Sequence, residues 1–172
     1  MNHVAFLIDG FNLYHSVRQL QRDTGYCAKW LDVFSLCKSY LHLFGKETSL
    51  AGIHYFSALP YHLSSSRPGK INRHKIYLKC LRDSGVIIEL GRFKEKEVFC
   101  TKCNTLFLKH EEKETDVSIA VTLVELVFKE KCNIAVIMSG DTDLSPAVAK
   151  CKRLFPNSKI IFAFPYARKN KE

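Results

Sequence analysis

The sequence predicts an α/β fold, a mainly parallel sheet flanked by helices, and three observations lead there. Short continuous apolar runs end in turn residues, as strands buried on both faces do. Stretches with apolar residues at helical spacing separate those runs. The two kinds of segment alternate along the chain, which implies right-handed crossovers between parallel strands.

Val4 to Ile8 stops at Asp9-Gly10 and reads as the first strand. Helical spacing follows over about 12–22 and 32–44. Ala51 to Leu59, carrying Ile53, Tyr55 and Phe56, reads as a second strand before a helix over 69–83. Val86 to Leu90, after Ser84-Gly85, is a third. Arg92 to Leu108 mixes charge with Val98, Phe99, Phe107 and a Cys-x-x-Cys, and it reads as a small hairpin or loop insertion around 92–110. A helix over 114–130, a strand Ile134 to Met138, a helix over 146–154 and a strand Ile160 to Phe164 complete the pattern. Ser145-Pro146 reads as an N-cap followed by proline at the first helical position, where a missing N–H costs nothing. One domain is expected over 1–166, and the polar, basic residues 167–172 read as a frayed tail.

A chain of 172 residues with 47% hydrophobic content suits one α/β domain with a real core. Lys and Arg outnumber Asp and Glu by 26 to 17, with a pI near 9.2, so the surface attracts polyanions, nucleic acid first among them. The seven cysteines are odd in number and mostly lie among apolar residues. That suits reduced thiols and a cytoplasmic location better than a disulfide framework. The start, MNHVAFLIDGFN, lacks a basic lead-in and reaches an aspartate after five apolar residues, so neither a signal peptide nor a membrane span is expected.

The chemistry lies in the aspartates. Ligands of an open parallel sheet bind beyond the carboxyl ends of its strands. Asp9 ends the first apolar run, and Asp141 and Asp143 follow the Ile134 to Met138 run, so two strand ends bring three carboxylates to one edge if those strands are neighbours. Asp116 is followed at helical offsets by Ala120, Leu123 and Val127, which puts an acid on an apolar stripe. An acid on such a face needs a partner, and a divalent cation lets several carboxylates stay ionised together. Such oxygen-rich sites suit Mg²⁺ or Mn²⁺. Each acid also has a structural reading. Asp9 before Gly10 shapes a turn, Asp143 supports the following helix, and Asp116 favours the positive end of its own. Asn12 serves either a metal-bound water, a phosphate oxygen or a helix cap, while Ser139 and Thr142 offer hydroxyls to a substrate.

Three segments, FLIDGFNLYHS at 6–16, EKETDVSIAVTLVELV at 112–127 and IMSGDTDLSPAVAK at 137–150, make the chain resemble the NYN domain family, within it the LabA-like (DUF88) group. That family is a branch of the PIN-like nuclease superfamily. The resemblance implies a Rossmann-like, PIN-like sheet and endoribonuclease chemistry on single-stranded or structured RNA. It further implies metal binding by Asp9, Asp116 and Asp141, with Asp143 close by and Asn12 in support. The middle motif departs in its lead-in, Glu114-Thr115, and keeps the aspartate.

Substrate contacts are expected from Arg67, Lys70, Arg73, Lys75, Lys79 and Arg82. The last three share one helical face while Ile71, Leu78 and Leu81 take the other, so the cations form a stripe able to follow phosphates or simply to stay solvated. Cys100-Thr101-Lys102-Cys103 has the spacing of half a zinc site. A turn with two free thiols is its plainer reading, and His110 or Cys80 would complete a site only by assumption. A site shared by two copies, each giving two cysteines, is a third arrangement, and a homo-oligomer is compatible with the sequence.

The function expected is metal-dependent hydrolysis of RNA phosphodiesters. Its rivals are a non-catalytic RNA-binding or scaffolding module and a phosphohydrolase of small substrates. A haloacid dehalogenase is disfavoured, since Phe11 stands where a second aspartate belongs, and no phosphate-binding glycine loop is present.

Overall fold

The computed structural model describes residues 1–168. Strands β1 (Asn2–Asp9), β2 (Thr48–Ala58), β3 (Ile87–Cys100), β4 (Thr105–Lys113), β5 (Ile134–Met138) and β6 (Lys159–Phe162) form one sheet in the order β4-β3-β2-β1-β5-β6. All neighbours are parallel except β3 and β4. The helices are α1 (Gly10–Thr24), α2 (Val33–Tyr40), α3 (Pro68–Asp83), α4 (Thr115–Phe128) and α5 (Ser145–Leu154), with single 3₁₀ turns at 41–44, 61–63 and 142–144. The expected α/β class, with its mainly parallel sheet, is the one observed.

Strand alternation builds two cores, one on each face. Val4, Phe6 and Ile8 of β1 join Val136 and Met138 of β5 beneath α1, α2 and α3. Ala5 and Leu7 join Ala135, Ile137, Ile119, Leu123 and Val148 beneath α4 and α5. The alternation carries one step further to the site. Asp9 has the parity of Ala5 and Leu7, and Ser139 that of Ala135 and Ile137, so both belong to the α4 face.

Local signals set the element ends. Asp9 caps α1 by accepting from the Asn12 N–H, and Gly25, at φ 75°, closes it. Gly10 is demanded by packing, since a Cβ there would lie 2.5 Å from the Phe56 carbonyl oxygen. The Ser145 expectation needs correction. Ser145 is already inside α5, and the preceding 3₁₀ turn is capped by Asp141, whose carboxylate accepts from the Asp143 N–H. The cap thus falls on a site aspartate, because the chain leaves β5 through a tight turn before the helix starts.

The expected insertion is a hairpin continuous with the sheet. β3 pairs with β2 only from Ile87 to Gly91, then runs on alone with β4 from Arg92 to Cys100. Ala167 and Arg168, placed in the tail by the sequence, form a turn against the site; the remaining tail residues lie outside the described residues. Among the described residues no helix is long and apolar enough to cross a membrane.

Candidate active site

Strand order reverses at β1: β2 and β3 continue to one side, and β5 and β6 return on the other. Such a switch point leaves a crevice beyond the carboxyl ends of the two central strands. Asp9 ends β1, Asp141 lies just past β5, and both flank that crevice. The condition that these strands be neighbours is met, with Ile8 opposite Met138.

A chain of hydrogen bonds ties the two strand ends together. The Ser139 hydroxyl donates to Asp9 Oδ2 at 2.9 Å and accepts from the Asp141 N–H at 3.0 Å. Asp9 Oδ1 accepts from the Asn12 N–H at 2.9 Å, and the Asn12 side-chain oxygen accepts from the Gly140 N–H at 3.1 Å. Ser139, expected as a substrate contact, is fully buried and engaged on both sides. The geometry makes it the group that orients Asp9 and the Asp141 loop. Asn12 likewise ties the first turn of α1 to the loop after β5 rather than capping its helix. Each Asp9 oxygen still keeps a lone pair for a further partner.

Asp116 stands in the first turn of α4, at the edge of the buried stripe formed by Thr115, Ile119, Thr122, Leu123 and Val127. Burial and the negative charges of Asp141, Asp9, Glu112 and Asp143 push its carboxyl up to about 6. Burial is also the main reason that the Asp9 carboxyl lies above its ordinary range, with Asp141 adding to the rise. These acids therefore share one field. Asp143 and Thr142 are exposed at the rim of the loop. Among the described residues, none of the four aspartates is paired with a Lys or Arg. Hard oxygen donors with unbalanced negative charge suit a divalent cation. They nevertheless stand apart: among the described residues no three acidic, His or Cys side chains close on one point as an ion would require.

Two neighbours escape the sequence patterns. Glu112, at the end of β4, accepts from the Thr115 hydroxyl and adds its charge to the field at Asp116. Its only trace in the sequence is the acid-rich run before Asp116. Arg168 lies against Gly140, where an added Cβ would clash with its carbonyl oxygen, and its Nε is buried with no hydrogen-bond partner among the described residues. Its segment is pinned to α1, since the Ser16 hydroxyl donates to the Tyr166 carbonyl at 2.7 Å. No local pattern marks that arginine.

The cations of α3 are all exposed, and Ile71, Leu78 and Leu81 are buried, as the stripe requires. Arg67, Lys70 and Arg73 occupy the end of α3 at the carboxyl edge of the sheet. Lys75, Lys79 and Arg82 recede from it, Arg82 by roughly 18 Å from Lys70 at the helical rise. The Lys75 ammonium lies 5.2 Å from the centre of the Tyr61 ring. Cys100 and Cys103 sit at the far tip of the hairpin, away from the acids.

The NYN domain family profile matches residues 3–171, essentially the whole chain. A comparison with curated proteins finds no significant match. Among solved structures, a protein of unknown function from Vibrio parahaemolyticus has a similar fold, with a TM-score of 0.57 and 16% identity over 95% of this chain and 81% of that one. Family profile, switch-point geometry and the three motif segments agree, and the chain belongs to the NYN domain family of the PIN-like nuclease superfamily.

Proposed function

We propose that this chain is a metal-dependent endoribonuclease. The observation that carries the proposal is the group of unbalanced acids at the switch point, Asp9, Asp116, Asp141 and Asp143. Asp9, Asp116 and Asp141 would hold Mg²⁺ or Mn²⁺, with Asp143 at the rim binding it or orienting the attacking water. Bound there, the ion would acidify water and offset the charge developing on the phosphoryl oxygens. Ser139 fixes the Asp9 carboxylate, so that its free lone pairs face the crevice. The Arg168 backbone packs against Gly140 and so helps to hold the loop that carries Asp141. Arg67, Lys70 and Arg73 would guide the strand toward the crevice, and RNA is the polyanion that the family membership favours.

Burial pushes the Cys37 thiol up to about 12 and the Cys132 thiol up to about 11, so both are inert, reduced core residues. A cytoplasmic setting suits them.

The test is cleavage of labelled RNA with Mg²⁺, Mn²⁺ or EDTA, comparing wild type with Asp9→Asn and Asp141→Asn. Cleavage that needs the metal and both acids is the expected result. RNA binding without cleavage under any metal would favour a scaffold, hydrolysis of small phosphate esters alone a phosphohydrolase, and cleavage surviving EDTA and both substitutions would remove the metal from the scheme.

A further inference from the structure

The hairpin beyond Gly91 takes no part in either core, and its tip carries chemistry that the proposed nuclease does not use. From Arg92 to Cys100 β3 pairs only with β4. Nine residues at strand spacing make a ribbon roughly 30 Å long that projects past the carboxyl edge of the sheet. Its base is fixed: the Phe93 ring meets Phe11 edge-on at 5.7 Å and His62 at 4.8 Å, and His62 stacks on His110 at 4.0 Å.

At the tip, Cys100 ends β3 opposite Thr105, and the chain turns through Thr101-Lys102-Cys103-Asn104. Asn104, at φ 53°, folds the turn back so that its N–H donates to the Cys100 carbonyl at 2.8 Å. The Cys103 thiol lies 2.9 Å from the Thr105 hydroxyl. Two cysteines at this spacing on a tight turn form half of a tetrahedral thiolate site.

Among the described residues of the same chain the other half is not found. His110 pairs across the ladder with Glu95, five residues or roughly 17 Å from Cys100 at strand spacing, and its Nε2 is bound to that glutamate at 3.0 Å. Cys80 lies in the last turns of α3, which approach the opposite edge of the sheet. Among the described residues no third ligand joins the pair. Phe99, Leu106, Phe107 and Leu108 around the tip are all exposed, an apolar collar that belongs to neither core.

We infer that the arm tip is half of a zinc site and that a second copy of the chain supplies the other half, joining two molecules tip to tip through Cys100 and Cys103 of each. A copy of the same tip is the occupant that brings the two missing thiolates and covers the apolar collar with a matching one. On binding, the four thiols release their protons to solvent and the metal stays Zn²⁺, so no oxidant is needed. Four thiolates around a divalent ion leave net negative charge, and Lys102 from each turn stands inside the loop to offset it.

The test uses the full chain, reduced and freed of metal by chelation, in sedimentation experiments with added zinc chloride. A monomer-to-dimer conversion complete at one zinc per two chains, reversed by EDTA, is expected. Cobalt in place of zinc should give the strong thiolate-to-metal absorption of a tetrahedral sulfur site. Cys100→Ser and Cys103→Ser should each lose both responses, whereas Asp9→Asn should keep both, which separates this site from the acidic crevice. One zinc per chain with no change in size, a zinc-induced dimer that survives both serine substitutions, or cobalt binding without the thiolate band would each overturn the inference.

Discussion

At the carboxyl ends of β1 and β5 the chain crowds acids into a half-buried crevice, whereas the β3–β4 arm, leaving the same edge two strands away, holds Glu111 among lysines. The same chemical group behaves oppositely in the two places. Asp116 is pushed up to about 6 by burial and by neighbouring acids. Glu111 on the arm is held below its ordinary range by Lys113, Lys109 and Lys96. Lys109 and Lys113 each lie 3.2 Å from it. Water and salt screen pairs of this kind, so they add little to stability. The arm is thus electrostatically satisfied and thermodynamically light. The crevice stores unfavourable charge, and that stored repulsion is what a cation would relieve.

The strongest way to break this contrast is to remove a crevice acid. Asp9→Asn should cut cleavage by on the order of a thousandfold, equivalent to about 4 kcal/mol of transition-state stabilisation. Single-turnover kinetics on labelled RNA at saturating metal will measure it, and a loss below tenfold would take Asp9 out of the catalytic group.

A smaller effect is expected from Ser139→Ala, which keeps every acid and frees Asp9 to reorient. Removing such an orienting partner lowers metal affinity or activity by roughly 10- to 100-fold. Extra Mg²⁺ should recover part of the loss. A rate unchanged at every metal concentration would mean that Asp9 does not need that hydrogen bond.

Asp116→Asn should separate stability from activity. The folded protein holds the Asp116 proton more tightly than the unfolded chain does, so this group's contribution to stability falls as pH rises from about 3.8 to about 6 and stays low above that. The asparagine variant should therefore gain on the order of 1 kcal/mol at pH 7, after allowance for the solvent that reaches a half-buried group. The gain should vanish below pH 4 while cleavage is lost. Urea unfolding at both pH values tests it, and a destabilised variant at pH 7 would contradict the crowded-charge account.

The smallest effect belongs to the arm. Replacing residues 96–109 by Asn-Gly, so that Glu95 and His110 flank a tight hairpin turn, should leave stability within about 1 kcal/mol of wild type, since the deleted residues touch neither core. Thermal unfolding checks this. A large loss would show that the outer ladder supports the domain.

Much of the fold was legible because its signals are local. Val4 to Ile8 and Ile134 to Met138 read as buried strands, and both lie at the centre of the sheet. The offsets of Leu123 and Val127 from Asp116 gave the phase of α4, although the buried stripe is centred one residue away, on Thr115 and Ile119. The bounds expected for the insertion, around 92–110, agree with the ladder from Arg92 to Lys113, but hairpin and loop stayed open, because charged residues such as Lys94, Lys96 and Glu97 carry no apolar pattern to decide between them.

The sequence by itself determined the class of the fold and which acids follow its two central strands, since strand and helix patterns follow from backbone geometry within a few residues. Only the tertiary structure decided what surrounds those acids. The Ser139 to Asp9 bond spans 130 residues, and Arg168 reaches Gly140 only once the chain after β6 has turned back toward α1. Such meetings depend on which strands become neighbours, a choice made by burial across the whole domain and not by any short stretch of chain.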